Sequence, residues 1–252
     1  MSNALADYNV YLVLLSWFVA VGGSLTGLFA AAFIRDPRSG HVRPGWLLLA
    51  ALLMGGCAIW AMHFLGMIAY QPGIPMAYDI PMTLASLAVP VAFVLFGLYV
   101  AFRWPARRGA RTLAGAITGL AVAGMHYTGM AAIRIAAEMR YDPALVATSV
   151  VIAVAAAVAA LHIAVAVRGW PRYASSLLMG LAVCGMHYTG MAALELVPAN
   201  IEVDHFDGAF TERVTGVWVV AIVIGACTIG TLLAGGQYVS EADSATERRS
   251  AT

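Results

Sequence analysis

Residues 119–130 read Gly-Leu-Ala-Val-Ala-Gly-Met-His-Tyr-Thr-Gly-Met, and the chain contains this pattern three times. Residues 180–191 differ from it only by a cysteine at the fifth position. Residues 56–67, Gly-Cys-Ala-Ile-Trp-Ala-Met-His-Phe-Leu-Gly-Met, are a more divergent copy. The histidines of the three copies are 63 and 61 residues apart. Such regular self-similarity predicts one structural unit that is built three times.

The composition around these copies is typical of a membrane protein. Of 252 residues, 62% are hydrophobic, and the mean hydropathy is +0.83. Charged residues make up 11% of the chain, against about 25% in soluble domains. This composition excludes a water-soluble enzyme, a nucleic-acid-binding protein and a disordered chain. We therefore expect the lipid bilayer as a partner, and no nucleic acid.

Seven apolar segments are each close to the roughly 20 residues that a helix needs to cross a bilayer. The sequence predicts an all-α membrane protein with seven transmembrane helices, arranged as three helical hairpins plus a seventh helix. We divide the chain into a short N-terminal segment 1–8, a membrane domain 9–235 and a polar tail 236–252, which we expect to be disordered. The predicted spans are Asn9–Ile34, Trp46–Tyr70, Ile80–Phe102, Thr112–Ile135, Ala144–Val167, Ala174–Val197 and Val214–Gly235.

Arginine, which supplies all 14 basic residues, predicts the orientation of these helices. The connections between predicted helices 1 and 2, 3 and 4, and 5 and 6, together with the C-terminal tail, carry eleven arginines. The opposite side carries three. The positive-inside rule therefore places the N-terminus outside and the C-terminus inside.

The sequences of predicted helices 1, 3 and 5 also resemble one another, but less closely. Near the start of each, Asn or Asp is followed seven residues later by serine, as at Asn9, Asp79 and Asp142. Asp79 and Asp142 occupy positions typical of helix caps, and orienting a ligating histidine is a second possible role. A pseudo-threefold arrangement of the hairpins would bring the three histidines together.

The repeated motif offers soft metal ligands. The histidines are predicted to lie at one depth in the outer leaflet, because each precedes the outer end of its helix by a similar distance. One methionine follows each histidine by four residues, on the same helix face, and another precedes it directly. Imidazole and thioether suit copper better than magnesium, calcium or manganese. We therefore predict a copper site formed by His63, His126 and His187 with some of Met62, Met67, Met125, Met130, Met186 and Met191.

The same residues have purely structural interpretations. A histidine can hydrogen-bond across a helix interface, and methionine is common core filling; three copies at one depth favour a site. Tyr127 and Tyr188 follow two of the histidines and could hydrogen-bond a ligand or only pack, and Phe64 takes this place in the first copy. The glycines of the motif are expected to allow close helix approach, or to make room for a flat macrocycle.

The Met-His-Tyr-Thr sequences at 125–128 and 186–189, with the variant Met-His-Phe-Leu at 62–65, resemble the motifs of the MHYT domain. The resemblance extends over about residues 8–235. It implies a bacterial integral-membrane sensor module, proposed to bind copper through these Met and His residues and to sense O2, CO or NO. Family members often continue into cyclic-di-GMP enzymes, kinases or DNA-binding domains. Here a short polar tail follows, so we expect an unidentified cytoplasmic signalling partner.

These observations leave three hypotheses. The first is a copper-binding sensor of the bacterial inner membrane that responds to a diatomic gas or to redox state, and thus a binding module rather than an enzyme. The second is a membrane copper or haem oxidoreductase, in which two of the histidines would ligate the haem iron. A copper carrier is the third, and we disfavour it because the motifs form one layer rather than a chain of sites across the membrane.

Overall fold

Seven helices account for most of the chain that the computed structural model describes, namely residues 8–74, 76–198 and 209–250. This confirms the mostly helical architecture that the sequence predicts. The predicted segment 1–8 and the connection at about 198–213 fall largely outside the described residues. The helices are α1 Val10–Ala31, α2 Pro44–Ala69, α3 Ile80–Arg103, α4 Arg108–Ala131, α5 Pro143–Ala166, α6 Pro171–Ala192 and α7 Glu212–Ser250.

Five of these helices are long and apolar enough to cross a membrane: α1, α2, α3, α5 and residues Gly216–Ser240 of α7. The helices α4 and α6 are also long enough, with 24 and 22 residues. Their mean hydropathy is lower because they combine the glycine, threonine and histidine of the motif with arginines near their first turn. Seven membrane crossings therefore stay a prediction, whereas the multi-pass apolar character is a property of the fold.

The first six helices form a closed ring in chain order, in which α6 returns to pack against α1. The helix α7 packs on the outside of this ring, against α1 and α2. Glycines allow close approach between neighbours in the ring: Gly119 of α4 lies against the backbone of Val154 in α5, and Gly180 of α6 lies against Val21 of α1. The ring closure produces the pseudo-threefold arrangement that the repeats suggest.

Short strands at one end of the ring were not predicted. They are β1 Met76–Asp79, β2 Ile133–Ile135, β3 Ala137–Tyr141, β4 Leu194–Pro198 and β5 Ala209–Thr211, which form an antiparallel sheet β2-β1-β5 and an antiparallel pair β3-β4. The predicted helices Thr112–Ile135 and Ala174–Val197 are therefore too long, because the helices end at Ala131 and Ala192 and the chain enters strands. Hydropathy alone did not separate these apolar strands from the preceding helices.

The three hairpins are equivalent at this strand-bearing end. The first helix of each hairpin (α1, α3 and α5) is capped by its Asn or Asp side chain, which accepts hydrogen bonds from backbone N–H groups of the first turn. The capping role predicted for Asp79 and Asp142 is thus confirmed. In addition, the backbone N–H of each capping residue donates to a carbonyl six residues after a motif histidine: Asn9 to Ala69, Asp79 to Ala132 and Asp142 to Ala193.

Two helices depart from the expected form. Within α2, residues Leu52–Ala61 wind as a π-helix, which ends directly before Met62 and His63; π-helical turns occur often at functional sites. The helix α7 continues to Ser250, so the disorder expected for 236–252 is wrong over the residues that the structure describes. Tyr238, on this helical continuation, contacts the ring through Arg172 of α6.

Candidate metal centre

His63, His126 and His187 meet at the centre of the ring, one from each of α2, α4 and α6. All three are almost completely buried, with at most 1% of each residue exposed. Their Nδ1 atoms form a triangle with sides of 3.1 Å between His126 and His63, 3.2 Å between His63 and His187, and 3.3 Å between His187 and His126. Among the residues that the structure describes, these form the one group of His, Cys, Asp or Glu suited to hold a metal ion.

This triangle cannot be satisfied by hydrogen bonds between the histidines alone. Each imidazole nitrogen has a single position, which holds either a proton or a lone pair. In a ring of three Nδ1 atoms, at least two lone pairs or two protons must therefore face each other. Lone pairs that converge on one point are complementary to a cation.

The glycine of each motif packs against the histidine of another copy. Gly66 lies against the ring of His187, Gly129 against that of His63, and Gly190 against that of His126. The nearest atom is Nε2 in each case, and a methyl group at any of these glycines would overlap with the ring. At these three glycines, the space that we expected to allow close helix approach or to accommodate a macrocycle is therefore occupied by imidazole.

The tyrosines of the motif bond to serines rather than to histidines. The hydroxyl of Tyr127 hydrogen-bonds Ser149 Oγ at 2.8 Å, and that of Tyr188 hydrogen-bonds Ser16 Oγ at 2.9 Å. Each tyrosine ring packs edge to face against the preceding histidine, with ring centroids 4.8 Å apart. In these contacts the tyrosines support the centre by packing.

In the first copy, which has Phe64 instead of tyrosine, Trp60 makes the hydrogen bond to serine. Phe64 packs against His63 with ring centroids 4.9 Å apart, while the indole N–H of Trp60 donates to Ser86 Oγ at 3.0 Å. Each copy thus links a motif-bearing helix to a serine of a neighbouring odd helix. Trp60 and the serines were not predicted as part of this arrangement, although the regular spacing of the serines was a usable signal.

All six methionines of the motifs are buried beside the histidines in the chain. Met67, Met130 and Met191 lie one helical turn beyond each histidine, on the side of the strands. Met62 packs near Cys184 and Ala20, between α6 and α1, which places it toward the wall of the ring. Sulfur ligation by the methionines stays a prediction.

The aspartates lie at the helix starts and serve other partners. The Asp79 side chain accepts a hydrogen bond from the Met82 N–H and pairs with Arg134, and both contacts hold the pKa of its carboxyl below the usual range. The Asp142 side chain accepts hydrogen bonds from the N–H groups of Ala144 and Leu145. In these contacts the aspartates cap helices, and their suggested role in orienting a histidine finds no support in the bonds that they make.

A ring of three repeated helical hairpins with a buried three-histidine centre defines a class of membrane-embedded repeat modules. The family model described as "Bacterial signalling protein N terminal repeat" matches residues 56–116, 119–175 and 180–243. The chain belongs to this family, the MHYT family, and the resemblance noted in the sequence is confirmed. It is accordingly a signalling module of the kind found in membrane signalling proteins.

Several curated relatives are similar to most of the chain. The bifunctional diguanylate cyclase/cyclic di-GMP phosphodiesterase MucR of Pseudomonas aeruginosa is 36% identical over 87% of this chain and 32% of its own length. The cyclic di-GMP phosphodiesterase NbdA of the same organism is 37% identical over 88% of this chain and 29% of its own. The signaling protein YkoW of Bacillus subtilis is 32% identical over 74% of this chain and 24% of its own. The chain thus spans about a third or less of these relatives, and no solved structure matches it.

Proposed function

We propose that this chain is a sensor module of the bacterial inner membrane that binds copper at His63, His126 and His187 and responds to O2, CO, NO or redox state. The observation that carries the proposal is the triangle of buried Nδ1 atoms. Nitrogen ligands that surround an ion tetrahedrally at about 2.0 Å lie about 3.3 Å apart. The observed separations of 3.1 to 3.3 Å would suit three imidazoles that hold one ion.

The chemistry of the surrounding side chains supports copper as the metal. Imidazole alone accepts zinc, copper, iron or nickel, whereas thioether sulfur selects Cu(I). The buried methionines one turn from the histidines supply that preference, because no carboxylate is bonded to the centre in the described part of the chain. When bound, copper would supply a redox-active centre.

Haem fits the site less well than a single ion. The imidazoles face each other with their Nδ1 atoms at most 3.3 Å apart, which leaves no room for a macrocycle between them. The space beside Gly66, Gly129 and Gly190 is already filled by the histidine rings. A haem oxidoreductase is therefore the less favoured alternative. A copper carrier is also less favoured, because the described part of the chain offers no second group of three or more His, Cys, Asp or Glu ligands.

The proposed membrane topology has seven crossings, with the N-terminus outside and the C-terminus inside. The arginine-rich connections lie at the end of the ring opposite to the strands, which supports this orientation. The helix α7 then leads into the cytoplasm. By analogy with MucR and NbdA, whose names concern cyclic di-GMP, we propose that α7 relays changes at the centre to a cytoplasmic signalling partner.

The first experiment measures metal in protein purified in detergent from cells supplied with copper and iron. We expect about one copper ion per chain by mass spectrometry, and an optical or electron-paramagnetic response to NO or CO. The His63→Ala/His126→Ala/His187→Ala variant is expected to lose both. The matched control is His162→Ala, since His162 lies on α5 and bonds the carbonyl of Val158. A Soret band would overturn the copper assignment, and copper without any response to gas or redox change would overturn the sensor function.

A further inference from the structure

A cavity of about 70 Å³ lies directly beneath the histidine triangle, on the side away from the strands. Ile59, Val122 and Val183 line it, and each precedes a motif histidine by four residues. Positions four apart share a helix face, so the three side chains separate the cavity from the histidines by one helical turn. The cavity therefore lies on the pseudo-threefold axis of the ring.

The lining of this cavity favours an apolar guest over water. It consists almost entirely of alanine, valine, leucine, isoleucine and methionine side chains. The hydroxyl of Thr118, one of two polar lining side chains, donates to the carbonyls of Phe93 and Ala114. A buried water needs about two to four polar partners, whereas this lining offers only the hydroxyls of Ser24 and Thr118, and that of Thr118 already donates its proton.

The size of the cavity sets the size of the guest. An engineered apolar cavity of about 150 Å³ in another protein stays dry and binds benzene or xenon. A cavity of about 70 Å³ is half as large, so it suits a guest of two or three heavy atoms or a single xenon atom. Larger ring compounds would not fit without movement of the helices.

The cavity reaches the outside of the ring between α5 and α6. Four alanines line one face of α5 at helical spacing, and three of these, Ala156, Ala157 and Ala160, are only half-buried. On the facing helix, Met179 and Ala182 also line the cavity and are half-buried. These half-buried residues face hydrocarbon if α5 crosses the membrane.

We propose that this cavity is a binding site for a small apolar molecule of the size of a diatomic gas. The guest enters sideways from the bilayer between α5 and α6, where a small apolar molecule is more soluble than in water. It then reaches the histidine centre from the side opposite to the strands. The delivery of a gas to the centre rests on the proposed function, whereas binding in the cavity does not depend on a metal.

Xenon tests the cavity without any metal. Met54, Met179 and Met186 line the cavity, so their methyl groups, labelled with carbon-13 in metal-free protein, report on its contents by NMR. We expect these three methyl signals to shift under xenon pressure, and those of Met82 and Met139, which do not line it, to stay in place. Shifts that are absent, or that are equal at all five methionines, would overturn the proposal.

Two substitutions on α5 form a matched pair for this test. Ala157→Leu places a larger side chain in the cavity, whereas Ala159→Leu makes the same change at an exposed position of the same helix. We expect the xenon shifts to fall at least fivefold only in Ala157→Leu, and association of NO or CO with the copper-loaded protein to slow about tenfold at unchanged copper content. If Ala157→Leu does not fold, Ala160→Leu replaces it. Equal xenon shifts in both variants would contradict the cavity, whereas normal xenon binding without copper or gas response would contradict only the proposed function.

Discussion

The motif glycines and histidines depend on each other across copies. Gly129 in α4 receives the ring of His63 from α2, and the same relation recurs around the ring with Gly66 and Gly190. A histidine therefore does not pack against the glycine of its own motif. Each copy places its histidine ring against the glycine of one neighbouring copy, and its own glycine receives the histidine ring of the other copy. The spacing of histidine and glycine within a motif allows both contacts to form.

Substitution of one motif glycine should disturb the centre from a distance. In Gly129→Ala the new methyl group would overlap with the His63 ring, so we expect the ring to move, copper content to fall severalfold, and the melting temperature to drop. Gly124→Ala is the control in the same helix, because nothing lies within 4 Å of a methyl group there. Alanine is the better helix former by about 1 kcal/mol, so the control should be neutral or stabilising. Equal copper content in both variants would contradict the interlocking of glycine and histidine.

At the scale of single elements, backbone hydrogen bonds connect the start of the first helix of each hairpin (α1, α3 and α5) to the end of a motif-bearing helix. The capping side chain satisfies the first turn, and the backbone N–H of the same residue bonds the end of a motif-bearing helix. In the second hairpin this junction also includes the ion pair of Asp79 with Arg134 of β2. Asp79 thus bonds the end of α4 through its backbone N–H, caps α3 with its side chain and pairs with Arg134 of β2.

The charge of Asp79 should make this junction sensitive to acid. The Met82 N–H and then Arg134 lower the pKa of Asp79 in the folded protein, so its contribution to stability is present above the ordinary aspartate value of about 4 and is lost as the pH falls below it. Asn is an equally good cap, so Asp79→Asn removes the charge alone. We expect the wild-type protein to melt at a higher temperature than Asp79→Asn at pH 7, and the difference to shrink toward pH 3. A difference that stays constant over this range would show that the charge is not involved.

At the scale of the whole molecule, α7 is the one described helix outside the ring, and a polar contact fastens it. Arg172, at the start of the helix that carries His187, is 4% exposed and donates to the hydroxyl of Tyr238. Its guanidinium also lies 5.5 Å from the centre of the Phe29 ring. A movement of α6 at the histidine centre would therefore reach α7 through this contact.

Removal of one hydroxyl should loosen α7 without affecting the centre. A hydrogen bond to a charged group contributes about 1.5–3 kcal/mol, so Tyr238→Phe should raise the rate of amide hydrogen exchange in the inner part of α7 about tenfold or more. Copper content should not change. Tyr11→Phe, at a position that is 84% exposed, is the control. Unchanged exchange in Tyr238→Phe would mean that packing alone holds α7 to the ring.

The sequence by itself determined the three repeats, the helical membrane character, the helix caps and which three histidines form the centre. These properties are local or periodic, because hydropathy, helix capping and self-similarity depend on residues that are near in the chain or equally spaced. The same local character explains the errors at the ends of α4 and α6. The hydropathy of an apolar run does not distinguish a helix from a strand, because a strand forms only with a pairing partner such as β1.

Only the tertiary structure decided how the copies meet. The Nδ1 triangle, the packing of Gly66 against His187 and the bond from Trp60 to Ser86 join residues that are 26 to 124 positions apart. The cavity beneath the histidines likewise exists only because six helices close into a ring around small side chains. Such features depend on side-chain volumes and directions at sites far apart in sequence, which no local pattern encodes.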